Sequence, residues 1–465
     1  MTRVFLILTL LALIAAGCGS TPPTATEAVT TTPSFTPIPT AFPTTPVPTA
    51  VPNLLYVNPA MDMGAISPYI YGSNYGPWVA VPYTMIQSAF DSGITILRFP
   101  GGSWGDNNDV MPQQIDQFMA FINKMGATAM IDVRLKNGTP AQAAQLVQYV
   151  NITQKYNVKY WGIGNEPSLY SQELKDGYDT VRFNKDWRAI AEAMKAVDPS
   201  IKLVGPEIHQ FSYSTENVTN YSVQTATDSS GRYWMDEFLK ANGDLVDVVS
   251  FHRYPFPVSQ VANPPTIDEL RNDAPQWSKI IDHLRDLIHK YTGRDLPVAV
   301  TEFSSATNKA VSGEATADSL FHAIWMADVL GQMIRENVFM VNYWLLTSSG
   351  DGGGSGLIGR GVLRPSYYVY QMYKMFGNEQ IYASSDDPYL TIYAAKRADG
   401  ALTLVVVNLK SEEQTKPIQI EGQSKVQAEA WLLDSTHNAA DIGSVDISGS
   451  ITVPAQSMTL YIVQP

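Results

Sequence analysis

From Ile66 onward the chain alternates short apolar runs, rich in β-branched and aromatic residues, with longer segments whose apolar positions recur at helical period. The apolar runs start near Tyr69, Ile94, Ala129, Lys159, Lys202, Val246, Pro297 and Phe339. Successive starts are 25 to 51 residues apart, enough for strand, loop, helix and return loop in each unit. Between them, Ala143, Leu146, Val147 and Val150 fall at i, i+3, i+4 and i+7, as do Leu320, Ala323, Ile324 and Ala327, so each helix carries one apolar face. Eight such units predict an α/β fold, a (β/α)8 TIM barrel over residues 66–377 whose active site lies at the C-terminal ends of the strands. An open doubly wound sheet is the competing arrangement, and no Gly-x-Gly-x-x-Gly turn follows the first strand to favour it.

Past Gly377 the period changes to two. Leu390, Ile392 and Ala394 alternate with their neighbours, Asp399-Gly400 reads as a hairpin turn, and Leu402, Leu404 and Val406 follow. Residues 378–465 therefore predict a small β-sandwich. Leu54 to Val57, within residues 53–65, is also strand-like and is expected to pair with it.

The N-terminal region follows different rules. Residues 1–18 carry Arg3, an apolar run from Val4 to Ile14, and the close Ala15-Ala16-Gly17-Cys18, which resembles a bacterial lipobox. The expectation is an exported protein, at the bacterial cell surface or extracellular, with Cys18 lipidated; an ordinary secretory signal is the alternative. Residues 19–52 form a linker: Thr21 to Pro52 holds 11 Thr and 9 Pro in 32 residues, a composition that favours extended chain and buries no core. Cys18 is the one cysteine, so no disulfide supports the fold.

Composition then narrows the function. A net charge of −13 lacks the basic surface that nucleic-acid binding requires and disfavours polyanionic substrates. The 24 Tyr, 16 Phe and 9 Trp suit a carbohydrate-binding surface.

On a barrel, polar residues just past each strand converge on one pocket. The second strand ends Leu97-Arg98-Phe99-Pro100-Gly101-Gly102, the fourth Gly164-Asn165-Glu166-Pro167, the sixth His252-Arg253-Tyr254, the seventh Thr301-Glu302-Phe303, and the eighth Tyr343-Trp344. Arg98 can fix a carboxylate. Glu166 and Glu302 are 136 residues and three units apart, which sets them facing one another across the pocket. Retaining glycosidases need two carboxyls about 5–5.5 Å apart, one to attack the anomeric carbon and one to protonate the leaving oxygen.

Asn165-Glu166-Pro167 and Thr301-Glu302-Phe303 in these positions resemble the signature of the clan A retaining glycoside hydrolases. The resemblance implies Glu166 as general acid/base, Glu302 as nucleophile, Asn165 as partner of the sugar 2-hydroxyl, Arg98 beside the nucleophile, His252 and Tyr254 lining the reactive subsite, and Trp344 as the stacking floor. Ile66-Ser67-Pro68-Tyr69-Ile70-Tyr71-Gly72, Val204-Gly205-Pro206 and Asn342-Tyr343-Trp344 look like the endo-β-glucanase/xyloglucanase family, whereas Arg98-Phe99-Pro100-Gly101-Gly102 looks like the α-L-arabinofuranosidase and β-xylosidase families.

Trp104, Trp161 and Tyr170 have weaker claims than Trp344, as candidates for outer sugar subsites, since aromatic residues near strand ends also simply pack. Glu207, after the fifth strand, reads equally as a sugar-hydroxyl ligand or a solvated loop carboxylate. Asp106-Asn107-Asn108-Asp109 has the oxygen density of a calcium loop without the EF-hand spacing, and His209, His283, His289 and His322 are scattered with no His-Glu-x-x-His, so no metal site is expected. Asp351 to Gly356 reads as a flexible loop able to wall a groove, not a phosphate cradle. The reading is a cofactor-free, monomeric retaining glycoside hydrolase acting on polysaccharide or oligosaccharide, first an endo-β-glycanase on neutral glucan or xylan-type chains. An exo-acting α-L-arabinofuranosidase or β-xylosidase is the alternative within the class, and a non-catalytic sugar-binding surface lipoprotein the alternative outside it.

Overall fold

The computed structural model describes residues 48–174, 177–212, 227–256, 264–306, 312–349 and 354–465. The leader, Cys18, the linker up to residue 47, and Asp351 to Gly353 of the glycine-rich loop lie outside the described residues. A first strand, β1 (Leu55–Ala65), precedes eight strands: β2 (Tyr69–Asn74), β3 (Ile96–Phe99), β4 (Thr128–Val133), β5 (Tyr160–Ile163), β6 (Lys202–Ile208), β7 (Val248–Arg253), β8 (Val298–Phe303) and β9 (Met340–Tyr343). Strands β2 to β9 close into a barrel in chain order, the expected (β/α)8 fold, with every pair parallel. All eight begin within two residues of the positions read from the sequence. Both faces of a barrel strand are covered, and β3, β5, β7, β8 and β9 are buried at every residue. At the strand-start end, Tyr69, Tyr160 and Phe339 meet edge to face with ring centroids 5.2 to 5.6 Å apart, filling the interior there.

The helices around the barrel form where the apolar stripe is bounded by caps. Pro112–Met125 buries Ile115, Phe118, Met119 and Ile122 and stops at Gly126 in a left-handed conformation. Thr139 caps Pro140–Val147 by accepting from the Gln142 N–H at 3.2 Å, and the predicted stripe splits, Val150 falling in a following π-helical turn. Leu320–Arg335 departs from a one-sided stripe: every residue from Phe321 to Ile334 is buried. The cause is a second neighbour, because the C-terminal sheet covers the face that other helices turn to solvent.

That sheet has nine strands: β1 with β10 (Glu379–Ser384), β11 (Leu390–Lys396), β12 (Leu402–Asn408), β13 (Gln414–Ile420), β14 (Gln427–Leu433), β15 (Ala440–Asp446), β16 (Gly449–Val453) and β17 (Ser457–Val463). Their order is β15-β14-β17-β12-β11-β10-β1-β13-β16 in one continuous hydrogen-bonded sheet, with β1 antiparallel to β10 and parallel to β13. The sandwich is thus one sheet wrapped on itself: Ile392, Ala394, Leu404 and Val406 join Ala430 of β14 and Val453 of β16 in a private core, while Tyr393, Ala395, Val405 and Val407 belong to the barrel's core. Asp328, buried on the shared helix, accepts from Thr391 Oγ1 at 2.5 Å and Tyr393 Oη at 2.7 Å, pinning sheet to barrel. No helix among the described residues is long and apolar enough to cross a membrane.

Candidate active site

The strand ends assemble around Arg98, the third residue of β3, whose side chain is fully buried. Its Nη1 donates to Glu302 at 2.8 Å and to Asn74 Oδ1 at 3.0 Å, its Nη2 to Glu207 at 2.5 Å and to Asn165 Oδ1 at 3.0 Å, and its Nε lies 2.7 Å from Asp132. One guanidinium therefore holds three carboxyl groups from β4, β6 and β8. Burial works against the charge of Arg98, and Asp132, Glu207 and Glu302 together more than offset it, so its pKa rises. For Asp132 and Glu207 burial dominates and like-charged neighbours add to it, so both carboxyls lie above the usual carboxylate range despite the arginine. Asp132 Oδ1 and Glu207 Oε1 both face Gly162 on β5, where an added Cβ would stand 2.3 Å from the first and 3.1 Å from the second. Only glycine leaves room for the pair.

Replacing Arg98 with Met removes the guanidinium that pairs with all three buried carboxyls, and a loss of about 3–5 kcal/mol is expected. Without it, the folded-state pKa values of Asp132 and Glu207 stand further above their unfolded values. Raised carboxyls favour folding below the unfolded pKa and lose that contribution as pH rises through the folded one. The urea midpoint of Arg98→Met should accordingly fall furthest behind the parent at neutral pH and approach it in acid; a constant gap would contradict the charge argument.

The turn carrying Glu166 is held by Asp106, from the Asp106–Asp109 segment whose oxygen density resembles a calcium loop without its spacing. Asp106, buried in the short helix Trp104–Asn107, accepts from the N–H of Leu135 at 3.0 Å, Lys136 at 3.1 Å and Asn165 at 2.8 Å, and from the Tyr170 hydroxyl. Its oxygens are spent on the protein itself. The N–H of Glu166 donates to the carbonyl of Glu207 at 3.0 Å, which ties the β5 and β6 loops together. Both glutamates sit in the left-handed region, at φ 49° and 54°. Such backbone costs about 1–2 kcal/mol per non-glycine residue and persists where surrounding contacts fix it.

Glu302 Oε1 accepts from Arg98 and from the Gly102 N–H at 3.0 Å, and its Oε2 accepts from the Tyr254 hydroxyl at 2.6 Å. Gly102 has φ +65°, and a Cβ there would meet the Trp344 ring at 2.5 Å, so glycine is required at this close approach. Burial and the neighbouring Glu302 and Glu166 raise the Tyr254 phenol well above its ordinary value, keeping it a donor. Glu166 Oε1 receives two imidazoles, His209 Nδ1 at 2.7 Å and His252 Nδ1 at 3.1 Å, and His252 Nδ1 is also 3.7 Å from Glu302. Burial disfavours the charge on Glu166, yet His209 and His252 hold its carboxyl well below the usual range. One oxygen of Glu166, one of Glu302 and a ring nitrogen of His252 all lie within 4.8 Å of one another.

The structure thus brings together Arg98, Asn165, Glu166, His252, Tyr254 and Glu302. Trp344, half-buried after β9, stacks with the more exposed Trp78, ring centroids 5.8 Å apart and planes 24° apart. Trp104 opens the helix that carries Asp106 and is half-buried, with no ring contact to Trp344 or Trp78 among the described residues. Trp161 and Tyr170 are buried in the wall, so they pack and do not form outer subsites. Glu207 is neither a solvated carboxylate nor exposed to a sugar: it is fully buried against Arg98. Asp132 and Trp78 carry no role in the sequence analysis, and His209 figures there only as one of four scattered histidines. Asp132 alone left a signal, a charge inside the apolar run Met130-Ile131-Asp132-Val133.

A fold of this kind recurs in solved structures. CelM2, described as a bifunctional glucanase-xylanase from a metagenome library, matches with TM-score 0.67 and 19% identity, over 88% of this chain and 99% of that one. An α-L-arabinofuranosidase from Thermotoga maritima matches with TM-score 0.69 and 18% identity, over 89% and 100%. Among characterised relatives, the intracellular exo-alpha-(1->5)-L-arabinofuranosidase of Streptomyces lividans is 22% identical over 257 residues, 43% of this chain. This chain spans only 36% of that relative's length. The model of glycosyl hydrolases family 39 matches residues 143–421, a stretch that runs from the helix before β5 into the C-terminal sheet and includes both glutamates. The chain belongs to glycosyl hydrolases family 39, within clan A.

Proposed function

We propose that the protein is a retaining glycoside hydrolase, an endo-acting β-glycanase on neutral glucan, xyloglucan or xylan-type chains, with Glu302 as nucleophile and Glu166 as acid/base. The observation that carries this reading is the spacing of the pair: oxygens of Glu166 and Glu302 approach within 4.8 Å. Inverting enzymes separate their carboxyls by about 6.5–9.5 Å to admit a water between them, whereas the retaining arrangement closes to about 5–5.5 Å. Glu302 attacks the anomeric carbon while Arg98, Gly102 and Tyr254 keep its two oxygens in line. Glu166 protonates the departing oxygen and then activates the water that releases the sugar. Asn165, fixed by Arg98, offers its amide to the 2-hydroxyl of the bound sugar, and Trp344 supplies the apolar face beneath it.

Trp78 favours internal cleavage. It follows β2, which neighbours β9 in the ring, so it lies across the barrel from the strand that bears the acid. An indole 36% exposed on that side extends the aromatic surface toward a sugar beyond the reactive one. A second reading, exo-acting α-L-arabinofuranosidase or β-xylosidase, draws on the Arg98-Phe99-Pro100-Gly101-Gly102 motif and the Streptomyces lividans relative. Export and a lipid anchor at Cys18 complete the proposal, since a polysaccharide must be met outside the cell envelope.

Product release by the purified protein on xyloglucan, β-glucan, xylan, arabinan and aryl glycosides tests the reading. Oligosaccharides of several sugars from one polymer are expected. Single sugars would move the assignment to an exo-glycosidase, and inertness on every substrate with retained binding would leave a sugar-binding lipoprotein. Globomycin-sensitive incorporation of labelled fatty acid at Cys18 tests the anchor.

A further inference from the structure

The resemblance that implies the acid/base role assigns nothing to His209, yet among the described residues it makes the shorter of the two hydrogen bonds to the Glu166 carboxyl. Its Nδ1 is 2.7 Å from Glu166 Oε1. The residue is held from both sides: its own N–H donates to Ser168 Oγ at 3.2 Å on the turn that follows Pro167, and the carbonyl two residues before it accepts from the Glu166 N–H at 3.0 Å. Next in sequence, Gln210 accepts from the Tyr254 N–H at 2.9 Å. The imidazole is therefore placed by three strand ends at once, those of β5, β6 and β7.

Both known contacts of the Glu166 carboxyl fall on Oε1, and Oε2 has no hydrogen-bond partner among the described residues. Side-chain exposure is 12% for His209 and 16% for Glu166, so each reaches solvent. The remaining charged or titratable groups that face the pair are His252, on the same oxygen at 3.1 Å, and Glu302, with Tyr254 and Arg98 behind it. Resting on the reading of Glu166 as acid/base, we infer that His209 is a positioning residue for the acid proton: His209 and Glu166 together hold one proton, and that proton is the one given to the leaving oxygen.

The balance runs through two forms with the same proton count. In the empty site the pair is an imidazolium beside a carboxylate. In the acid-competent form Glu166 carries the proton on Oε2, His209 has released the proton of Nε2 through solvent, and Nδ1–H still donates to Oε1. When Oε2 gives its proton to the glycosidic oxygen, the carbon–oxygen bond breaks with its electron pair on the leaving group, and the new carboxylate is again stabilised by the Nδ1–H. Burial pulls His209 down, but Glu166 beside it raises the imidazole above its ordinary value. Without the imidazole the proton would have only the carboxyl to sit on, and the more basic nitrogen that holds it in the resting pair would be gone. The pair therefore carries the acid into the histidine range, and the alkaline limb of activity belongs to both groups.

The test compares pH profiles of kcat/KM for the parent, His209→Ala, His209→Gln and Glu166→Ala on the 2,4-dinitrophenyl glycoside and the methyl glycoside of the sugar released. For His209→Ala the methyl glycoside should slow about 10- to 100-fold at neutral pH while the dinitrophenyl glycoside changes no more than about twofold. Its alkaline limb should move toward acid by at least about one pH unit. His209→Gln, which can still donate to Oε1 but cannot titrate, should keep near-parent rates in acid and lose the alkaline range. An unmoved alkaline limb in both His209 variants, or equal losses on the two glycosides, overturns the inference while Glu166→Ala still discriminates between them. If Glu166→Ala itself treats both glycosides alike, the acid assignment fails first and the inference falls with it.

Discussion

Glu302→Gln should leave a protein that folds and binds its glycan but turns over at least about 10⁴-fold more slowly, because double displacement has no first step without a carboxylate nucleophile. The substitution is close to isosteric. An amide oxygen in place of Oε1 can still accept from Arg98 and the Gly102 N–H, so the local geometry has no reason to collapse. Charge moves in the favourable direction as well, since Arg98 is shared among Asp132, Glu207 and Glu302 and loses one of three competing anions. Thermal unfolding should therefore match the parent or lie above it. Calorimetric titration with oligosaccharide reports the retained binding. An activated 2-fluoro glycoside supplies the positive measurement: in the parent it should add one sugar mass to the peptide containing Glu302, and in the variant none. Turnover near the parent rate, or labelling of another residue, would remove Glu302 as nucleophile.

The barrel was readable because a strand covered on both faces is an uninterrupted apolar run, and eight of them alternating with amphipathic helices leave few alternatives. Residues just past those runs were readable for the same reason: their place in the ring follows from the strand count alone. Asn165, Glu166, Glu302 and Arg98 all belong to this class. Asp132 and Glu207 were harder, because a carboxyl one residue inside a strand and one at its end look alike in sequence, and only the paired space over Gly162 distinguishes a buried ion set from a solvated loop. His209 depends on a left-handed turn at Glu207 that redirects the chain, which no periodicity announces. The helix Leu320–Arg335 misled in a milder way, its stripe concealing that a sheet from the far end of the chain covers its other side. That sheet takes in β1, where Val57 pairs with Ala383 on one side and Ile420 on the other, partners from distant segments that alternation alone does not specify.

Glu166→Ala should separate substrates by leaving group, which removal of the nucleophile cannot do. A natural glycoside leaves as an alkoxide unless protonated, and loss of a positioned acid costs about 10²–10⁴-fold. A 2,4-dinitrophenolate needs no proton, so formation of the glycosyl-enzyme should be nearly spared with that substrate, while its hydrolysis, which needs Glu166 as base, should become limiting. A burst of dinitrophenolate followed by slow turnover is the expected trace. Azide should then rescue turnover: the deleted side chain leaves space beside His209 and His252, which had held its Oε1 at 2.7 and 3.1 Å, and a small anion there is paired with the imidazoles that lost their carboxylate. The product should be a glycosyl azide of retained configuration, because the nucleophile on the opposite face is untouched. Equal losses on both substrates, or an azide product of inverted configuration, would contradict the assignment of acid and nucleophile to the two faces of the sugar.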